Sequence, residues 1–491
     1  VGRGRLLVLD AGSSSLKAVA FDEAGQVLAE ASADYPTASP GLGAAEQDCD
    51  DWWRAARGAV QCVASVLGAA FAPEAIALTG SMQNFVVVGP DGRPDGPAVL
   101  YSDARLTAAR AHVLRARLPG DFEREVGNRL DPAMSIFRAM DLADAAPARL
   151  AAARALLFGA KDVLIHRMTG RAVIDPTTAS LSGFFSLARR RWDPDIVAAS
   201  RLPAAILPEV VPADARVGPL LPESAAELGL PAGLPVYGGA GDGGAATWGA
   251  EADGHGTPYV YLGTTGWVAA TMSLAQAAPP RDCHTLAAPV GEDVIVVAPF
   301  LNAGSTVAWV ADLTGRPIDD LVAAGAALDS TPPALLFLPY LIGERSPFED
   351  RTVRGGFLGL GKEHGADALA YAVLEGIAHA VRHNLSTLPI VPKRMTVIGG
   401  TRQPLLMQLI ADVTNIPVVE TPLTRSGTAR GVYRLVAPAL GFTDGAGETS
   451  PAYCRRSERA ARAERRYRTY LAVSRVARDL AETFSEGQPG A

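Results

Sequence analysis

The sequence predicts an α/β protein of two domains, and three observations carry the prediction. A chain of 491 residues is too long for one hydrophobic core. Strand-like apolar runs alternate with helical ones through both halves, and one Gly/Ser/Thr hairpin is written twice, about 250 residues apart. The first copy, Asp10-Ala-Gly-Ser-Ser-Ser-Leu-Lys17, lies between Leu6–Leu9 and Leu16–Phe21. The second, Gly263-Thr-Thr-Gly266, lies between Tyr259–Leu262 and Trp267–Ala270. Small residues let backbone N–H groups approach an anion, and hydroxyls add donors, so such a turn suits phosphate oxygens. A hairpin turn of this composition is also an ordinary structural element.

The elements follow in order. Asp51-Trp-Trp-Arg54 and the Ala/Val-rich run to about Ala70 predict a helix with an acidic first turn, followed by a strand over Ala75–Thr79. The stretch from Pro194 to Pro235 is dense in proline and predicts irregular structure. Leu234–Tyr237, Gly238–Gly244 and the small residues after them read as strand, tight loop and helix start. A polar Gly/Pro segment, Glu251–Pro258, suggests a boundary, giving domains at 1–250 and 251–491. Beyond it come a strand at Ala334–Leu338, a helix from Ala366 to Leu388, a strand at Met395–Ile398 and a helix from Pro404 to Thr414. A final arginine-rich helix runs from Arg455 to Phe484. Glu458, Glu464, Asp479 and Glu482 interleave with its arginines, which predicts a solvated face on a packing helix rather than a surface for membranes or nucleic acid.

Composition narrows the function. A formal net charge of −7 argues against nucleic-acid binding, which rests on clustered Lys and Arg. Cys49, Cys62, Cys283 and Cys454 are scattered without metal-ligand spacing and read as reduced thiols. No apolar stretch is long enough to span a bilayer and no signal-peptide pattern opens the chain, so the expected location is cytoplasmic.

Two motifs fail on context. Gly239-Ala-Gly-Asp-Gly-Gly244 fits a dinucleotide-binding turn, yet the next strand ends at Leu262-Gly263 with no carboxylate for a ribose hydroxyl. Gly359-Leu-Gly-Lys362 is followed by Glu363, where a P-loop needs Ser or Thr. What remains is four glycine-rich sites at strand ends: Asp10–Lys17, Gly238–Gly244, Gly263–Gly266 and Ile398–Arg402. Asp10 at the end of a buried strand needs a partner, which hydrated magnesium or its own turn would supply. Asp242 stands among glycines where a substrate can approach, and equally where a helix N-cap is expected.

Together with Gly343-Glu-Arg-Ser-Pro347 and Gly399-Gly-Thr-Arg402, these motifs stand in the order and spacing of the FGGY carbohydrate kinases, which the chain resembles over roughly residues 5 to 480. Within that family it is most similar to the xylulose kinase branch, through Gly343–Pro347, Arg354–Leu360 and Met407–Asp412. The resemblance implies two actin-like domains (ribonuclease H-like, of hexokinase/Hsp70 type) around a central cleft. It implies ATP and Mg2+ as cofactors, Asp242 as the general base, and Asp10 with Asp242 on the metal side. Gly12, Ser13, Ser14 and Ser15, with Gly263, Thr264 and Thr265, match residues facing phosphate, and Lys17 stands at the family's conserved lysine on the cofactor side, with phosphate and a neighbouring carboxylate both open as its partner. Gly304, Gly399, Gly400, Thr401 and Pro404 match residues near the nucleotide. The acceptor side is implied at Ser81, Met82, Gln83, Asp103, Arg105 and Asp242, and Met82 also reads as packing beneath its loop.

Here the sequence departs from the xylulose kinase pattern. Gln83 stands where that branch carries a His, and Tyr101-Ser-Asp-Ala-Arg105 where it carries Trp-Asn-Asp-x-Arg. An amide changes the donor pattern around a hydroxyl. The expected substrate class is therefore a small ketose, polyol or sugar acid, with xylulose as a candidate. The expected partners are ATP and that small carbohydrate or polyol, with no nucleic acid and no membrane, and a homodimer is open as the assembly. Two rivals from other classes are an actin-like ATPase driving a conformational cycle and a sugar sensor without turnover.

Overall fold

The computed structural model describes residues 5–277, 282–420, 426–445, 452–481 and 483. Its chain forms two compact units: Val1–Gly249 with Thr285–Ile295 and Ser426–Ala446, and Ala250–His284 with Val296–Arg425 and Gly447–Ala491.

The first unit is built on six strands: β1 (Leu6–Ala11), β2 (Ser15–Phe21), β3 (Val27–Asp34), β4 (Ala75–Gly80), β5 (Arg216–Pro219) and β6 (Pro235–Gly241). They lie in the order β5-β6-β4-β1-β2-β3. The β1–β2 and β2–β3 pairs are antiparallel, and β4 joins β1 in parallel. Period-two alternation gives this sheet two buried faces. Leu7, Leu9, Leu16 and Ala18 pack with Trp52, Ala56 and Val60 of the helix Cys49–Leu67. Leu6, Val8, Val19 and Phe21 pack on the other face with Val432, Tyr433 and Val436 of the helix Gly427–Val436. Asp10 and Lys17 are paired across β1 and β2, and alternation puts both on this second face.

The second large sheet contains β7 (Pro258–Leu262), β8 (Gly266–Met272), β9 (His284–Ala287), β10 (Val294–Phe300), β11 (Met395–Ile398), β12 (Val418–Glu420) and β13 (Ala452–Tyr453). Its order is β9-β10-β8-β7-β11-β12-β13. Here too an antiparallel hairpin, β7–β8, is followed outward by two parallel neighbours, β11 and β12. In the first sheet β4 and β6 hold those places. The repeated sequence hairpin is thus a repeated supersecondary unit.

Two expectations are corrected. The proline-dense middle contains the helices Pro194–Ser200 and Pro222–Leu228, each with proline in its first turn, and Asp193 caps the former through the amides of Asp195 and Ile196. Proline there spends no needed N–H and presets φ, so it starts helices rather than breaking them. The last helix spans Ala460–Asp479; Glu482 and Phe484 lie outside the described residues. Arg465, Arg468, Arg475 and Arg478 form the expected exposed face, while Arg462 and Arg466 are engaged with the protein. Arg466 pairs with Glu375 and donates to the Leu335 carbonyl at 2.6 Å, and Arg462 donates to the Pro332 and Pro333 carbonyls. No helix among the described residues is long and apolar enough to cross a membrane.

Candidate functional site

In the first unit the site is assembled at the carboxyl ends of β1, β4 and β6. β6 bulges between Tyr237 and Ala240, where Gly239 has φ +59° and a Cβ would lie 1.7 Å from the Leu78 carbonyl oxygen. Only glycine fits this bulge, which re-aims the strand end. Asp242 follows as the first residue of the helix Asp242–Gly249. Its carboxylate accepts the Gly243 amide at 2.8 Å. Part of its surface stays open while protein surrounds the rest, and burial first, then the charge of Asp10, pushes its pKa up to about 7.

Asp10 lies close enough to act on it. Burial raises the Asp10 pKa, while a hydrogen bond from the Thr428 hydroxyl and the Lys17 charge oppose the rise. Thr428 reaches Asp10 because its helix, Gly427–Val436, packs directly on Asp242–Gly249. A Cβ on Gly431 would lie 1.8 Å from the Ala245 carbonyl oxygen, and one on Gly249 would lie 1.9 Å from that of Gly427. The two carboxylates are therefore set by one close helix pair resting on one sheet.

The Gly12–Ser15 loop closes the β1–β2 hairpin through Gly12 N–H to the Ser15 carbonyl at 3.0 Å. Tyr35 donates its hydroxyl to the Gly12 carbonyl, and Gln47 donates to that of Ser13 at 2.8 Å. These bonds occupy carbonyls and leave Ser13 and Ser14 exposed. Met82 packs against the end of β6, its sulfur 2.2 Å from where a Gly241 Cβ would stand. Gln83 is left-handed at φ +58°, with its Nε2 enclosed and without a hydrogen-bond partner among the described residues. Ser81 is a linchpin: its amide donates to the Ala11 carbonyl at 2.9 Å and its hydroxyl accepts from Asn84 at 3.0 Å. Asp103 accepts the Ala45 amide at 2.9 Å and Arg105 Nε at 2.8 Å, and Arg105 also pairs with Glu46.

Sequence reasoning missed what stands behind Asp242. Asp175 caps the short helix Pro176–Ala179 and accepts the Gly241 amide at 3.1 Å. Lys161, 1% exposed, sits between Asp162 at 2.7 Å and Asp175 at 3.0 Å. A lysine and aspartate inside the apolar run Phe158–Ile165 are the only trace of this in the sequence. Thr428 left no comparable signal.

In the second unit, three loops meet. The Gly304 and Ser305 amides donate to the carbonyls of Gly263 at 2.8 Å and Thr264 at 3.0 Å, and the Thr401 amide donates to that of Leu262 at 3.0 Å. Thr401 Oγ1 adds a bond to the Gly263 carbonyl at 3.1 Å. Gly263, Thr264, Thr265, Gly304, Gly399, Gly400 and Thr401 are thereby one constellation, with the helices Gly304–Thr314 and Pro404–Thr414 starting beside it. Helix N-termini and small-residue turns together favour an anion. Glu344, 1% exposed, anchors the approach to Gly304 by accepting the Leu301 amide at 2.8 Å, while Asn302 donates to the Gly343 carbonyl at 2.8 Å. Burial lifts Glu344 to about 7.

Known proteins match this architecture along the chain. The N-terminal domain of the FGGY family of carbohydrate kinases matches residues 5–249, and its C-terminal domain matches residues 259–440. A xylulose kinase of Klebsiella pneumoniae is 28% identical over 442 residues, covering 88% of this chain and 89% of that protein. A glycerol kinase of Trichlorobacter lovleyi is 31% identical, covering 96% and 98%. The crystal structure of a xyloylose kinase from Brucella ovis superposes with a TM-score of 0.88 at 27% identity, covering 96% of this chain and 99% of that one. With both family domains matched in order on two sheet-containing units, the chain belongs to the FGGY family of carbohydrate kinases, ATP-dependent phosphotransferases with an alcohol group as acceptor.

Proposed function

We propose that the protein transfers the γ-phosphoryl group of ATP to a hydroxyl of a small ketose, polyol or sugar acid, with Asp242 as general base. The observation that carries this reading is the Asp242 carboxylate itself: held at a strand end among glycines, partly open, and raised to about 7 by burial and by Asp10. A carboxylate of that basicity suits proton acceptance near neutrality. Asp242 takes the acceptor hydroxyl proton as the oxygen bonds to the γ-phosphorus. The bond to the β–γ bridging oxygen breaks, and ADP departs with that electron pair.

The remaining residues bind and orient. Gly12, Ser13, Ser14, Ser15 and Lys17 of the first unit, and Gly263, Thr264 and Thr265 of the second, are assigned to phosphate oxygens. Gly304, Gly399, Gly400, Thr401 and Pro404 are assigned to the nucleotide. Ser81, Met82, Gln83, Asp103 and Arg105 are assigned to the acceptor side, where Gln83, an amide whose Nε2 has no partner among the described residues, supports selectivity different from that of an imidazole.

No cluster of three or more His, Cys, Asp or Glu suited to an ion occurs among the described residues. Mg2+ commonly keeps waters and takes one or two carboxylates plus phosphate oxygens, so Asp10 and Asp242 fit an ion that arrives with the nucleotide. When bound, such an ion would offset the negative charge of the phosphates. An ADP-release assay over pentuloses, polyols and aldonates tests the reading. One compound should stimulate turnover, and Asp242→Asn should reduce it to a small residual rate while ATP binding persists. Full activity in that variant, or turnover indifferent to every acceptor, would overturn it.

A further inference from the structure

The general base needs a fixed position, and the structure shows an unusual group of charges behind it. Lys161, Asp162 and Asp175 are all enclosed, at 1%, 0% and 1% exposure. One ammonium and two carboxylates away from water are costly, and well-packed apolar residues of similar volume are often at least as stable. The Asp175 carboxylate is saturated: Oδ1 receives Lys161 Nζ at 3.0 Å, the Thr178 hydroxyl at 2.5 Å and the Gly241 amide at 3.1 Å. Its Oδ2 receives the Thr177 and Thr178 amides at 2.9 and 3.3 Å.

Gly241 is also closely packed by side chains. A Cβ there would stand 2.2 Å from Met82 Sδ and 2.5 Å from Thr178 Oγ1. Asp175 thus holds the peptide joining Ala240 to Gly241, immediately before Asp242. The Asp175 carboxylate is in turn set by Lys161, which comes from a different helix, Ala160–Thr169.

We propose that Lys161 is a positioning residue for phosphoryl transfer: clamped between Asp162 and Asp175, it fixes the Asp175 carboxylate that holds the Gly241 amide and so places Asp242. This rests on Asp242 being the base. Misplacement of a reacting group by about 1 Å can cost on the order of a hundredfold in rate. Lys161→Met should therefore lower kcat by about 10- to 100-fold, while KM for ATP and for the acceptor stays within about twofold. Nucleotide should still raise its melting temperature.

The deciding measurement combines this variant with Asp242→Asn. A residue acting through Asp242 adds no further loss of turnover once the base is gone, although the double variant still melts lower. An unchanged kcat in Lys161→Met, or the same fractional loss in both backgrounds, would show a purely structural lysine and overturn the proposal. If the methionine variant does not fold, Lys161→Arg, which retains the charge at altered reach, is judged by the same two readouts. Full activity of Asp242→Asn alone would instead remove the general base, and the positioning role with it, so the two failures are distinguishable.

Discussion

Thr428 and Asp10 are separated by 418 positions and share one hydrogen bond. That bond stabilises the charged carboxylate against the burial that raises its pKa. Hydrogen bonds to charged groups are worth about 2 kcal/mol. Thr428→Val should then reduce kcat/KM for ATP by roughly tenfold or more, seen in steady-state kinetics; unchanged kinetics would make the contact incidental. His379 illustrates a different residue-level effect. Burial first, then Arg466 and Arg382, lowers its pKa to about 3, and neither ring nitrogen has a hydrogen-bond partner among the described residues. The folded form thus binds fewer protons than the unfolded chain, whose histidine titrates near 6.5. Its contribution is fully present above that value and is lost as pH falls through 6.5 toward 3. Replacing His379 by Phe should flatten the acid side of the stability curve, measured by denaturant midpoints at pH 7 and pH 4.5. An equal acid loss in both proteins would refute that assignment.

At the scale of elements, the helices Asp242–Gly249 and Gly427–Val436 approach closely through Ala245, Gly249, Gly427 and Gly431. One helix begins with Asp242 and the other carries Thr428, so their spacing sets the spacing of site groups. Gly431→Ala puts a methyl 1.8 Å from a carbonyl oxygen, which backbone movement must relieve. The expected cost is about 1–3 kcal/mol of stability, read by thermal denaturation, together with reduced turnover. Normal stability would mean that the pair can slide apart freely. The hairpins were readable at this scale because their small residues sit between apolar runs of strand length. The helices in the proline-dense middle were not, because proline at a first turn and proline in a loop look alike without the cap geometry around Asp193.

For the molecule as a whole, the first unit draws on three stretches of chain. Asn128 exchanges two hydrogen bonds of 2.8 Å with the backbone of Thr285, and Ser180 accepts the Ala287 amide at 2.8 Å. Ala429, Val432, Tyr433 and Val436 cover Leu6, Val8, Val19 and Phe21. A chain ending at Arg425 should therefore expose that sheet face, bind hydrophobic dyes and aggregate. A soluble monomer with native-like near-ultraviolet dichroism would contradict this.

The sequence by itself determined the α/β class, the duplicated hairpin, and the candidate residues Asp10, Asp242, Gly12–Ser15, Gly263–Thr265 and Gly399–Thr401. Strand ends, tight turns and isolated carboxylates are visible in a few consecutive residues, which singles these out as candidates, while their roles came from the ordered resemblance to a family. Tertiary structure alone decided that Thr428 bonds Asp10, that Lys161 and Asp175 brace Gly241, and that Thr285–Ile295 and Ser426–Ala446 return to the first unit. Those pairings depend on which sheet face a distant helix covers, and no periodicity within a segment encodes the identity of its partner.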